Sequence, residues 1–127
     1  EVICWGSGSP MREFMHVDDL AQAAIFALEN WDPDSSKSPK TDEGKPLFHL
    51  NVGTGKDISI KDLAEKIARI LDFKGKITWD TSKPNGTPKK LLDISRLSRM
   101  GWKSKISLDD GIIKTLETIG EELNLYK

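Results

Sequence analysis

An α/β fold is what this sequence predicts, and three observations predict it. Strand-like runs alternate along the chain with runs of helical period, the pattern of strand–helix units built around a parallel sheet. The mostly apolar run Leu47-Phe48-His49-Leu50-Asn51-Val52, closed by Gly53-Thr54-Gly55, has the length and composition of a buried parallel strand. Two Ser-x-x-Asp signatures, Ser59 to Asp62 and Ser107 to Asp110, each stand at the start of a helical apolar pattern.

The elements follow in order. Val2-Ile3-Cys4-Trp5 reads as a strand, and Gly6-Ser7-Gly8-Ser9-Pro10 as a turn or loop, because glycine supplies positive φ and proline interrupts a ladder. A helix is expected next, ending near Asn30, with Val17, Leu20, Ala21, Ala24, Ile25 and Leu28 on its apolar face and Asp18 or Asp19 as its cap. Residues 32–46, with three prolines and three serines, are a surface loop. After the Leu47–Val52 strand, a second helix starts at Ser59, turns Leu63, Ile67, Ile70 and Leu71 to one side, and stops before Gly75. Ile77-Thr78-Trp79 is a short strand, and 81–88 is loop, with two prolines around Asn85-Gly86. Asp93 caps a short helix through Leu97, stopped by Gly101. The last helix starts at Ser107 and carries Ile112, Leu116, Ile119 and Leu123 at helical spacing.

Composition narrows the function. The 127 residues make one domain, 37% hydrophobic and 31% charged, neither disordered nor fibrous. Nineteen basic residues stand against twenty acidic ones, so the net charge of -1 lacks the footprint of a general nucleic-acid binder. No apolar stretch approaches the roughly 20 residues that span a bilayer. One cysteine, Cys4, excludes an internal disulfide and fits a reducing compartment, with the cytoplasm as the default. Residue 1 is Glu, and a strand opens the chain without a preceding turn, so a fragment of a longer protein is expected.

The candidate chemistry is that of an anion site. Tyr126 is the one tyrosine and is followed by Lys127, so a Tyr-x-x-x-Lys proton-transfer pair is absent from this sequence, as are the Gly-x-Gly-x-x-Gly and Gly-x-x-x-x-Gly-Lys motifs. Gly53-Thr54-Gly55 is a plain strand-to-helix turn or a phosphate contact. His16, Asp18 and Asp19 are read as capping residues, because a histidine and an aspartate two apart point to different sides of a helix. His49 is read as a core imidazole and Cys4 as a small buried hydrophobe. Arg12, after the glycine-rich loop, suits a bidentate anion such as diphosphate, or else an ion pair with Glu13 or an aspartate. Trp5 stacks on a nucleobase or sugar, or packs. From Lys74 to Lys90 five lysines face one aspartate, a formal +4, and Lys83, Lys89 and Lys90 close over a phosphate or form a solvated face. The two basic segments together suggest an anionic ligand.

The run from Trp5 through Arg12-Glu13-Phe14-Met15-His16-Val17-Asp18-Asp19-Leu20-Ala21 resembles the extended short-chain dehydrogenase/reductase family, in the variant found in GDP-L-fucose synthases. Asn51-Val52-Gly53-Thr54-Gly55, then Lys83-Pro84-Asn85-Gly86-Thr87-Pro88-Lys89-Lys90-Leu91-Leu92-Asp93, then Gly101-Trp102 through Ser107-Leu108 continue the resemblance in order. It implies that residues 1–127 are the C-terminal, nucleotide-sugar-binding portion of an extended Rossmann-type reductase, one strand joining the parallel sheet and an N-terminal NADP-binding domain lying upstream. It implies a full-length, homodimeric, NADP-dependent enzyme that converts GDP-4-keto-6-deoxy-D-mannose to GDP-L-fucose by 3,5-epimerisation and 4-reduction. Its catalytic Ser, Tyr, Lys, Cys and His are expected upstream, so Cys4 and His16 are not those residues and the fragment alone is inactive. Trp5, Arg12, Asn85 and Lys90 match positions that bind the GDP-sugar. Asn85 stands where the family pattern carries Asp, and Lys89 where it carries Arg, which removes a charge at the first and a bidentate fork at the second. The competing expectations are another extended short-chain reductase acting on nucleotide sugars, a dehydratase or 4-epimerase, and a stand-alone anion- or RNA-binding module using Trp79 and the basic segment.

Overall fold

Nine elements are described by the computed structural model, which covers residues 1–124, with side chains through Gly120. The expectations placed on Tyr126, Lys127 and the Leu123 side chain lie outside the described residues. The elements are β1 (Val2–Trp5), β2 (Met11–Glu13), α1 (Val17–Asn30), β3 (Asp57–Ser59), α2 (Ile60–Ile70), β4 (Ile77–Asp80), β5 (Lys89–Lys90), α3 (Ser95–Arg99) and α4 (Leu108–Asn124). The fold is α/β with parallel pairing, as the sequence predicts. It divides into two compact units.

The first unit gathers Glu1–Glu13, Lys56–Leu91 and the C-terminal segment from Ser107. β1 pairs in parallel with β4, Val2 opposite Ile77 and Trp5 opposite Asp80. The other sheet runs β3-β2-β5, antiparallel between β2 and β3 and parallel between β2 and β5. α2 begins as its capping signature requires: Ser59 accepts from the Asp62 N–H at 3.0 Å and its hydroxyl donates to Asp62 Oδ2 at 2.6 Å. Ser107 and Asp110 repeat that arrangement at the start of α4, at 3.1 and 2.6 Å. Leu63, Ile67, Ile70, Ile112 and Leu116 are half-buried, whereas Leu71 and Ile119 are exposed. Lys66 joins α2 to α4 by donating to both carboxylate oxygens of Asp109 at 2.8 Å.

The second unit, Phe14–Gly55 with Leu92–Ile106, holds the buried apolar side chains: Ala23, Leu97 and Trp102 cluster, flanked by Met15, Phe26, Leu50 and Val52, and Leu47 is buried too. α1 has the predicted span, but its buried face is not the predicted one. Val17, Leu20, Ile25 and Leu28 are exposed, while Asp19 and Ala23 are buried with Phe26 packed beside them. The helix is apolar on most of its circumference, so periodicity finds a helix without finding its inner face. Asp19 is 4% exposed, and its carboxylate accepts from the Lys105 and Ile106 N–H groups at 2.9–3.2 Å. It is therefore a tether for the 105–106 backbone. The cap is His16, whose Nδ1 accepts from the Asp18 N–H at 3.2 Å. His16 lies outside the helix, so its imidazole and the Asp18 carboxylate meet at 3.5 Å.

Three further expectations are corrected. Leu47–Val52 forms no strand among the described residues, because a strand exists only through its ladder. Leu47 is buried while Phe48 and His49 face solvent, so His49 is not a core imidazole. The glycine-rich loop at 6–10 leads into β2 before any helix, and Gly53-Thr54-Gly55 leads into β3, two strands too short to show a period. α2 ends at Ile70 with Leu71 as its C-cap, and Asp72 follows in the left-handed region at φ 51°, ahead of Gly75. Asp93 accepts from the Ser95 N–H at 2.8 Å, ahead of α3, whose N-cap is Ile94. Residues 32–46 form the expected loop, with Lys40 bridged to Pro46.

Candidate functional site

All four expected ligand residues, Trp5, Arg12, Asn85 and Lys90, belong to the first unit. The turn between β1 and β2 brings them together. Gly6 (φ +79°) and Gly8 (φ +75°) adopt a left-handed backbone, and neither has room for a side chain. A Cβ on Gly6 would stand 2.5 Å from Asn85 Oδ1, and one on Gly8 would stand 2.6 Å from the Trp79 ring and 2.8 Å from Lys61 Cβ. Glycine is needed at both for close approach as well as for φ.

β2 then sets the faces. The Met11 N–H donates to the Pro88 carbonyl at 2.8 Å, and the parallel register places Met11 beside Lys89 and Arg12 beside Lys90. Side chains alternate across a sheet, so Lys89 shares one face with Met11, Glu13 and Asp57, and Lys90 shares the other with Arg12. Lys89 Nζ lies 3.0 Å from Asp57 Oδ2, an ion contact without hydrogen-bond geometry. It is neutralised there. Lys90 is exposed, and the half-buried Arg12 donates from Nη1 to the Met11 carbonyl at 2.7 Å while Nη2 borders the Gly86 turn. Two cations in register on one face make a place for a divalent anion.

Asn85 joins the two loops. Its Oδ1 accepts from the Ser7 N–H at 2.7 Å and from the Ser7 hydroxyl at 3.0 Å. A backbone N–H only donates, so the atom facing it is the amide oxygen, and an Asp at this position makes the same bond. The Ser9 hydroxyl lies 2.9 Å from that of Ser7 and completes the chain. Ser7, which fastens Asn85 in the candidate site, was not singled out by sequence, since a serine among glycines reads as turn composition. Trp5 is 72% exposed and does not pack. Lys83 Nζ lies 5.6 Å from its ring centroid.

The remaining candidates fall away from this site. Cys4 is half-buried in β1 opposite Trp79 rather than fully buried. Trp79 is half-buried with its ring against Gly8, so it offers no free stacking platform. Among the described residues no cluster of three or more His, Cys, Asp or Glu side chains is arranged to hold a metal. No described helix is long and apolar enough to cross a membrane. Gly53-Thr54-Gly55 opens a short strand, whereas a pyrophosphate cradle needs a glycine turn opening a helix.

Known proteins resemble this chain over most of its length. The profile of the NAD dependent epimerase/dehydratase family matches residues 1–53. GDP-L-fucose synthase 1 of Arabidopsis thaliana is 44% identical over 117 residues, 92% of this chain and 32% of that protein. GDP-L-fucose synthase of Escherichia coli K12 is 42% identical over 128 residues, 100% of this chain and 38% of that protein. Over the aligned residues the chain is similar to GDP-L-fucose synthases. Among solved structures, a GDP-6-OMe-4-keto-L-xylo-heptose reductase from C. jejuni superposes with a TM-score of 0.81 at 40% identity, over 94% of this chain and 34% of that one. The chain thus spans about a third of the length of the fucose synthases it matches.

Proposed function

We propose that this chain is the nucleotide-sugar-binding segment of an epimerase/reductase that converts GDP-4-keto-6-deoxy-D-mannose to GDP-L-fucose. The observation that carries the reading is the parallel register of β2 with β5, which sets Arg12 beside Lys90 on one face next to the Gly86 turn. Arg12 and Lys90 hold the diphosphate, Trp5 offers its ring to the nucleoside or sugar, and Asn85 fixes the turn between them. The names of the fucose synthases and of the C. jejuni reductase have the GDP group in common, which supports a GDP-sugar as ligand.

The chemistry belongs to residues outside this chain. A nicotinamide cofactor, as NADPH, would supply hydride to the 4-keto carbon and would be held upstream by an N-terminal domain, with the homodimer formed by the whole protein in the cytoplasm. The exposure of Val17, Leu20 and Leu28 on α1 supports a longer polypeptide that covers them. The test is Arg12→Ala in the natural polypeptide that contains this chain: GDP-sugar affinity drops roughly tenfold or more, as for a lost charge-assisted pair. Unchanged affinity counts against the site. A second reading, reduction of a different GDP-sugar, is favoured by the 40% identity to the heptose reductase. Product analysis with several GDP-sugars separates the two.

A further inference from the structure

We propose that Lys83 reads the base: its ammonium donates to the O6 and N7 edge of a guanine stacked on Trp5, making this residue the selector of guanine over adenine. The inference rests on the nucleotide-sugar reading above and adds to it a residue outside the Trp5, Arg12, Asn85 and Lys90 set.

The placement of Lys83 is built, not incidental. The Asp80 carbonyl accepts from the Gly6 N–H at 2.9 Å and from the Lys83 N–H at 3.2 Å. Asp80 stands opposite Trp5 in the β1–β4 register, and its Oδ1 accepts from the Ser82 N–H at 3.0 Å and from the Ser82 hydroxyl. One residue therefore ties the backbone of Lys83 to the end of the strand that presents Trp5. The outcome is an ammonium 5.6 Å from the centroid of an indole that is open to solvent, inside the roughly 6 Å range of cation–π attraction.

The order of groups along the 83–90 segment gives this cation its role. Lys83 lies at Trp5, Asn85 at Ser7, Gly86 beside the Arg12 guanidinium, and Lys90 in register with Arg12. The aromatic end and the doubly cationic end are separate, which matches a nucleoside diphosphate laid along the segment with its base on Trp5. Arg12 and Lys90 serve the phosphates, so a third cation at the aromatic end meets the base. Guanine presents two acceptors, O6 and N7, on one edge, whereas adenine replaces O6 with an N–H donor that repels an ammonium. The flexible four-carbon stem of lysine lets Nζ swing from the ring face to the edge of a base that takes its place.

The experiment measures binding of GDP, IDP and ADP to the natural polypeptide containing this chain, against Lys83→Met, which keeps the apolar stem, and Lys83→Arg, which keeps the charge. IDP carries the same O6 and N7 edge as GDP. The expected result is a roughly tenfold loss for GDP and IDP with Lys83→Met, unchanged ADP binding, and recovery with Lys83→Arg. Equal loss for all three makes Lys83 a phosphate contact and overturns the proposal, as does no loss for any. Loss for a GDP-sugar with GDP itself unaffected moves the residue to the sugar and overturns it as well. Failure of the unsubstituted protein to bind any nucleoside diphosphate defeats the function reading itself, a result distinct from loss of discrimination.

Discussion

The two units of this chain are held together in opposite ways. In the second, apolar side chains are buried: Ala23, Leu97 and Trp102 cluster, and Asp19 inside accepts two backbone N–H groups. In the first, the buried residues among those described are Gly6, Gly8, Pro10 and Gly111, so Pro10 carries the one buried apolar side chain among them. Backbone pairing and polar clamps hold it instead: β2 between β3 and β5, Asn85 on Ser7, Asp80 on Gly6 and Lys83. The difference teaches where ligand residues can stand. A unit closed by backbone approach leaves its side chains free to face solvent, and Trp5, Lys83 and Lys90 use that freedom, whereas a unit closed by packing spends its side chains inward.

The contrast predicts that the second unit breaks when atoms are removed and the first when atoms are added. Leu97→Ala is expected to have the largest effect, about 3 kcal/mol of destabilisation, because it empties a site that is 1% exposed. Urea unfolding measures it, and a loss below about 1 kcal/mol means that the cluster is loosely packed. Gly8→Ala follows at about 2 kcal/mol, combining a left-handed backbone with a methyl pressed on the Trp79 ring and Lys61. The same method checks it, and a neutral outcome shows that the 6–10 loop can move away. The smallest effect concerns the ion pair of α2 with α4. The Lys66 hydrogen bond, followed by the charges of Lys66 and Arg69, holds the Asp109 carboxyl below its ordinary 3.8. A depressed carboxyl stabilises the fold above the unfolded value and loses that contribution as pH falls through the folded one. Lys66→Met is therefore expected to lower the urea midpoint slightly at neutral pH and to match the unsubstituted protein in strong acid. A difference that persists in acid assigns the effect to packing of the lysine stem.

Much of this was legible in the residue order. The span of α1, the Ser59 and Ser107 caps, the 32–46 loop and the Ile77–Trp79 strand are local matters, set by spacing and by side chains that bond their own backbone within three residues. The four expected ligand residues were named through resemblance to a family, and the structure places all four in the first unit. What stayed hidden was every feature that needs a distant partner. Asp19 looks like a cap and is a buried tether because its acceptors lie 86 and 87 residues away. Leu47–Val52 has strand composition without a ladder. Lys89 and Lys90 are adjacent and alike, yet the register turns one to Asp57 and the other beside Arg12. Sequence by itself determined the elements and the chemistry available to them, because propensity, capping and charge act over a few residues. Only the tertiary structure decided which face of α1 is inside, which lysine is free and which loop Ser7 fastens, because those outcomes depend on pairing between segments up to 87 residues apart.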